Sequence, residues 1–310
     1  MMKLTCMRIT GFIMLTFCIH PLGFAELKPS TITQVVMLGT GTPLADPDRS
    51  GPSTAIVVNG MAYIVDFGPG IVRRASAMSP RYGGSIDGLQ AKNITRAFLT
   101  HLHSDHSTGL PDIIFTPWTL DRAEPLELYG PEGIKEMTQN VIEAYGEDIR
   151  YRVYGLEPTN NQGWRVNAHV VTEGTVYQDD NVKVEAFRVK HGSWPNAFGY
   201  RFTTPDRVIV ISGDAAPDEN IEKFSRDADI LIHEVYAVEG FNKRTPFWQK
   251  YHGNNHTSAH ELGELAARVK PGLLVLTHIL FFGSSEEQVL SEVKEKYKGD
   301  VVLANDLDVF

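Results

Sequence analysis

The sequence predicts one layered α/β domain, and three observations carry that expectation. Short apolar runs come in blocks, and a stretch with helical spacing follows each block. No internal repeat with a period of roughly 20 to 50 residues interrupts the order. No linker rich in Pro, Gly or Ser divides the chain, whose 310 residues suffice for a large buried core.

The elements follow in order. Lys3 and Arg8 precede the apolar run Ile9 to Phe17, and small Gly23 and Ala25 stand before Glu26. That is the layout of a secretory signal peptide over residues 1–25, leaving 26–310 as the domain. The run is too short to span a bilayer, and bulky Phe17 stands where lipidation of Cys18 would want a small residue. Thr33 to Leu38 reads as a buried strand ending in a turn with Gly39 and Gly41. Thr54 to Val58 and Ala62 to Val65 form a hairpin on the type I′ turn Asn59-Gly60. Arg96 to Thr100 is a further strand, and Gly133 to Tyr145 a helix. Arg150 to Asp180 is polar and irregular, as in edge strands. Val182 to Val189, Phe198 to Thr203, Val208 to Ser212 and Ile230 to His233 read as strands. Ser258 to Val269 is a helix with Thr257 or Ser258 as its N-cap. Leu273 to Thr277 is a buried strand and Glu286 to Tyr297 a last amphipathic helix.

Composition narrows the function. The net charge of −9 argues against a broad basic surface for nucleic acid, though not against a local patch. Cleavage after Ala25 would remove Cys6 and Cys18, the only two cysteines. The mature chain would hold no disulfide, thiol nucleophile or thiolate ligand. It would also lose Lys3 and Arg8, so 27 bases against 38 acids give −11. The expectation is an acidic exported protein, periplasmic or secreted, without a membrane anchor.

The chemistry gathers at strand ends. His101-Leu102-His103-Ser104-Asp105-His106 directly follows the strand Ala97 to Thr100. Neutral imidazoles are borderline ligands that suit zinc, and a carboxylate can complete a second site. In extended chain His101 and His103 point the same way, and a turn at Ser104 re-aims Asp105 and His106. The motif His-x-His-x-Asp-His resembles the signature of the metallo-β-lactamase superfamily, and His191, Asp214 and His278 follow in that family's order.

The resemblance implies an αββα sandwich of two mixed sheets flanked by helices, and two divalent ions, zinc above all. By position, His101, His103 and His191 would hold the first ion. Asp105, His106 and His278 would hold the second, with Asp214 bridging. Thiolate-dependent β-lactamases are excluded by the lack of cysteine, and Asp214 leaves β-lactam hydrolysis at most a side activity. Gly39-Thr40-Gly41, Asp66-Phe67-Gly68, His233-Glu234 and His256-Thr257-Ser258 look like the ribonuclease Z group. That group has a basic arm between the positions of His191 and Asp214, where this chain has only 22 residues.

The expected function is therefore an exported hydrolase similar to secreted zinc arylsulfatases, cleaving a small anionic ester with a metal-bridging hydroxide. The alternative is a phosphodiesterase of the same fold. Asp105 would orient the hydroxide, and His233, beside Glu234, would protonate the leaving group. His256 reads as a cap or supporting residue and Asp66 as an orienter of a ligand histidine. Trp118, Trp194, Tyr236, Phe281 and Phe282 are candidate pocket walls, while His169, His252 and His260 read as surface or helix-face residues. No nucleic-acid partner is expected, and a homodimer is possible. A zinc scavenger without turnover would need neither the bridging Asp214 nor an acid.

Overall fold

Side chains along the first strand show why two sheets close on one another. Val35 and Met37 point to one face, Val36 and Leu38 to the other, and all four are fully buried. A strand with no wet face must be covered on both sides. The computed structural model describes residues 32–157 and 159–310, so the signal-peptide reading of residues 1–25 falls outside the described residues.

The strands are β1 Thr33–Gly39, β2 Ser53–Val58, β3 Met61–Val65, β4 Arg96–Phe98, β5 Leu126–Gly130, β6 Val166–Val170 and β7 Gly174–Gln178. They continue as β8 Lys183–Arg188, β9 Phe198–Thr203, β10 Val208–Ile211, β11 Ile230–Tyr236, β12 Leu273–Leu280 and β13 Val301–Leu303. The helices are α1 Ile71–Ala77, α2 Ser104–Ser107, α3 Leu110–Thr119, α4 Ile134–Ala144 and α5 Gly146–Tyr154. After these come α6 Glu219–Phe224, α7 Val238–Asn242, α8 Pro246–Asn255, α9 Ala259–Val269 and α10 Glu286–Lys296.

One sheet runs β1-β2-β3-β4-β5-β6 and the other β13-β12-β11-β10-β9-β8-β7. Both are mixed. β1 to β3 and β7 to β10 pair antiparallel, while β3 to β6 and β10 to β13 pair parallel. Helices cover the outer faces, giving the expected αββα sandwich. Between the sheets Phe98 stacks on Tyr129 and meets Tyr200 and Phe202 edge-on. Its removal would cost about 3–5 kcal/mol and loosen the strand that leads into His101.

Local chemistry agrees with several expectations. Asn59 and Gly60 both take positive φ, as a type I′ turn requires. Ser258 caps α9 in a capping box with Glu261. Gly39 is needed because a Cβ there would lie 2.0 Å from the carbonyl oxygen of Gly51.

One region holds the expected edge strands together with a helix that the sequence reading missed. Arg150 to Asp180 begins as the end of helix α5, followed by β6 and β7, the last strand of each sheet. Ile149 and Val153 of α5 pack against the core, but no residue of this helix is fully buried and the apolar stripe is short.

Candidate metal centre

Four strand ends deliver the ligand set to one cleft between the sheets. Beyond β4 the chain stays extended to His101 and His103, then turns into α2, which carries Asp105 and His106. His191 follows β8, and Asp214 follows β10 after Gly213 at φ +62°. His278 is placed by a bulge. Glu234 pairs with Thr277 and Val235 with Ile279, so His278 is the extra residue, held at φ +45°. A bulge re-aims a side chain, and a positive φ on a residue with a Cβ stores strain at the site.

The donor atoms converge. Those of His101, His103, His191 and Asp214 all lie within 4.8 Å of one another, as do those of Asp105, His106 and His278. His103 Nδ1 stands 2.9 Å from His101 Nε2 and 3.1 Å from His191 Nε2. Burial pushes the pKa of His103 down to about 4 and holds His101 and His191 below the usual range. Three rings thus bring one nitrogen each to a single point, an arrangement that a cation satisfies once each of those nitrogens is unprotonated.

The other half carries the charge. Asp214 Oδ1 lies 3.4 Å from His106 Nε2, and its Oδ2 lies 3.5 Å from His278 Nε2 and 4.0 Å from His101 Nε2. Burial would raise the Asp214 carboxyl, but His278 and His106 override it and hold it well below the usual carboxylate range. Asp105 Oδ2 sits 3.2 Å from His278 Nε2. Burial likewise opposes ionisation of Asp105, and the contact with His278 depresses its pKa. Burial would also lower His106, yet Asp214 and Asp66 raise it well above 6.5. Protonated imidazoles thus do between these carboxylates what a divalent cation would do in their place. Among the described residues, ring nitrogens His106 Nε2 and His278 Nδ1 have no hydrogen-bond partner. The residues fit a bound metal.

Two of the inner histidines are steadied from behind. Asp66 Oδ2 accepts from His106 Nδ1 at 2.8 Å, and its Oδ1 accepts from the Thr100 backbone N–H at 2.8 Å. Asp66 itself is held at φ +59°. His191 Nδ1 donates to the Asn255 carbonyl at 2.8 Å. Such partners fix which ring nitrogen faces a metal. The first turn, by contrast, is held by Asp306, which accepts from Thr40 N and Ser50 N.

The two outer histidines exchange places relative to the sequence reading. In β11, Ile230 and Ile232 face the inter-sheet core and Leu231 faces the helices. Alternation therefore sends Glu234 inward and His233 outward. The His233 ring lines a separate cavity of about 310 Å³ with Asp218, Glu261 and Arg268, and its Nδ1 donates to its neighbour's carbonyl, Glu234 O. His256 instead stands at the cluster. Its Nδ1 is 3.4 Å from Glu234 Oε2 and 4.0 Å from Asp214 Oδ2. Burial brings its pKa down to about 4, while burial and Asp214 raise the Glu234 carboxyl well above its usual value. A neutral carboxyl facing a neutral imidazole can pass one proton between them.

The aromatic candidates separate. Trp194 Nε1 donates to His103 Nε2 at 2.7 Å, so it adjoins the ligands. Phe282 stacks near His252, Tyr236 on Phe241, and Phe281 lies under Arg49. Trp118 is not a pocket wall. It is fully buried in the outer core, where its N–H reaches the Asn160 carbonyl. Nor is His252 a surface residue, being buried and 5.8 Å ring to ring from His256. His169 and His260 do sit at the surface, paired with Glu127 and Glu295.

With the geometry established, known proteins can be set beside it. Residues 62–279 match the family described as Beta-lactamase superfamily domain. A Mycobacterium marinum protein named Ribonuclease Z is 31% identical over 279 residues, covering 88% of this chain and 96% of that relative. The crystal structure of the metallo-β-lactamase fold protein YhfI from Bacillus subtilis superposes with a TM-score of 0.69 at 17% identity, over 90% of this chain and 99% of that one. The short form of human tRNase Z gives 0.65 at 23% identity, over 89% and 98%. These relatives overturn the expectation that no nucleic acid is involved. The relative named Ribonuclease Z is matched over nearly its whole length. The arylsulfatase resemblance finds no counterpart among these relatives.

Proposed function

The chain belongs to the metallo-β-lactamase superfamily, in its ribonuclease Z-like branch, and from that premise we propose that it is a metal-dependent phosphodiesterase. One observation carries the proposal: Asp214 stands between two converging ligand groups, in a chain that matches a Ribonuclease Z along 96% of its length. His101, His103 and His191 would hold one ion and Asp105, His106 and His278 another, with Asp214 shared. Zinc suits this donor set of imidazoles and carboxylates without thiolate. When bound, such ions supply Lewis acidity and an activated water.

The chain's own residues do the rest. Asp66 and the Asn255 carbonyl keep His106 and His191 in the orientation that turns Nε2 inward. Asp105 lies beside His278 and orients the nucleophile. Glu234 lies beside His256, its Oε2 3.4 Å from Nδ1, and His256 delivers a proton to the departing oxygen. His233 lies on the other face of β11 and takes no part in this scheme.

The test uses matched chromogenic esters and the full chain with zinc. Bis-nitrophenyl phosphate is expected to be hydrolysed at least about tenfold faster than nitrophenyl sulfate, the preference disappearing with the metal. A preference for the sulfate ester would replace this proposal with the arylsulfatase one.

A further inference from the structure

The α7–α8 edge is a surface that the ligand cluster does not explain. Between Glu239 and Glu261 the chain carries Lys243, Arg244 and Lys250 and no acid, in a protein of net charge −9. Aromatic residues alternate with these cations, and Phe247, Trp248 and Tyr251 are exposed by 71%, 40% and 40%. Several large rings exposed side by side mark a contact surface.

The rings form a row that leads inward. Phe247 and Tyr251 both meet Trp248 edge-on, at 5.3 and 5.6 Å. Trp248 stacks on His252 at 5.6 Å and 25°, and His252 lies 5.8 Å from His256 beside the metal ligands. Arg244 sits over the faces of Trp248 and Phe282, at 5.7 and 5.3 Å. Lys243 is paired with Glu239, whereas Lys250 and Arg244 form no ion pair among the described residues. The inner end of α8 is clamped to the cleft. Its Asn255 carbonyl holds His191, and a Cβ at Gly192 would lie 2.1 Å from the Asn255 Oδ1.

We propose, resting on the phosphodiesterase reading, that this edge is a stacking ledge for an unpaired nucleotide strand entering the metal centre. Every base presents a π-face, so aromatic ledges bind single strands with little sequence preference. Arg244 and Lys250 meet the flanking phosphates, which an acidic protein otherwise repels. A duplex fits poorly, because its ring faces are already stacked. A second copy of the same face fits poorly too, since it would set Arg244 and Lys250 against their own kind.

The experiment reads binding apart from turnover. A 2′-O-methyl oligoadenylate is titrated into the zinc-loaded full chain and followed by anisotropy, with the strand's integrity checked on a gel after each titration. Trp248→Ala is expected to weaken binding roughly tenfold and Trp248→Phe far less. Arg244→Ala is expected to reduce the slope of log affinity on log salt by about 0.7. An unmodified DNA strand is expected to follow the same order, because the ledge reads ring faces. Hydrolysis of bis-nitrophenyl phosphate is expected to be unchanged in Trp248→Ala, since that ring lies two stacking steps beyond His256. Unchanged strand affinity in Trp248→Ala overturns the ledge, and so does an equal loss for strand and small diester. Conversion of a dimer to a monomer with strand affinity intact overturns it as well. Failure of the phosphodiesterase proposal would appear separately, as strand binding without turnover of either ester.

Discussion

The floor of the cleft and its rim are built on opposite principles. On the floor, His101, His106, His191, Asp214 and His278 are nearly inaccessible, and Asp66 and Asn255 steady two of the rings from behind. On the rim, α8 leaves Phe247, Trp248 and Tyr251 exposed beside Arg244 and Lys250, which form no ion pair among the described residues. A buried floor can hold charge in one geometry because water cannot screen or replace its partners. An exposed rim can meet substrates of varied shape. Under the proposed function, the contrast assigns the reaction type to the metal-binding floor and the choice of ester to the helices between β11 and α9.

The sharpest break of that contrast is on the floor. Asp214→Ala removes the shared carboxylate, and several kcal/mol of charge stabilisation go with it. Diester hydrolysis should fall on the order of 1,000-fold, with metal content by elemental analysis falling too. Full metal content with full activity would deny Asp214 its place.

A smaller effect separates the two outer histidines. His256→Ala should lower kcat about 100-fold with the metal retained, and His233→Ala should leave kcat essentially unchanged. Loss of metal in His256→Ala would make that residue a ligand, and loss of rate in His233→Ala would restore the sequence-based assignment. A steadying residue should cost less still. Asp66→Asn should weaken metal affinity roughly 10- to 100-fold, read by competition with a chelator. No change would mean that the contact with His106 is incidental.

Stability should register a difference that lies outside the metal centre. Burial brings the His233 pKa down to about 4, against 6.5 in an unfolded chain. Between those values the unfolded state binds the proton and the folded state does not. Stability contributed by the neutral ring is therefore present above pH 6.5 and is lost as pH falls toward 4. The whole loss is on the order of 3 kcal/mol. His233→Asn should flatten the urea-derived stability of the full chain across that window. An unaltered acid limb would contradict it.

How much of this was legible in the sequence follows from the same contrast. His101 to His106 could be read because the ligands are neighbours in the chain. His191, Asp214 and His278 could be read because they follow apolar runs in a known order, although β12 continues past His278 to Leu280. The choice between His233 and His256 could not be read from spacing, because it turns on which face of β11 each side chain takes. The parity was nonetheless present, since Ile232 and Ile230 mark the inward face and place Glu234 with them. The ledge was hidden for another reason. Its aromatics lie on a helix whose apolar residues face solvent, so no buried stripe reveals them.

The most direct measurement is a zinc titration of the metal-stripped full chain, with bound metal and bis-nitrophenyl phosphate hydrolysis followed together. The account predicts no turnover in the stripped protein and activity that keeps rising until two equivalents are bound. Turnover that survives stripping, or two bound ions with no diester hydrolysis, would contradict it.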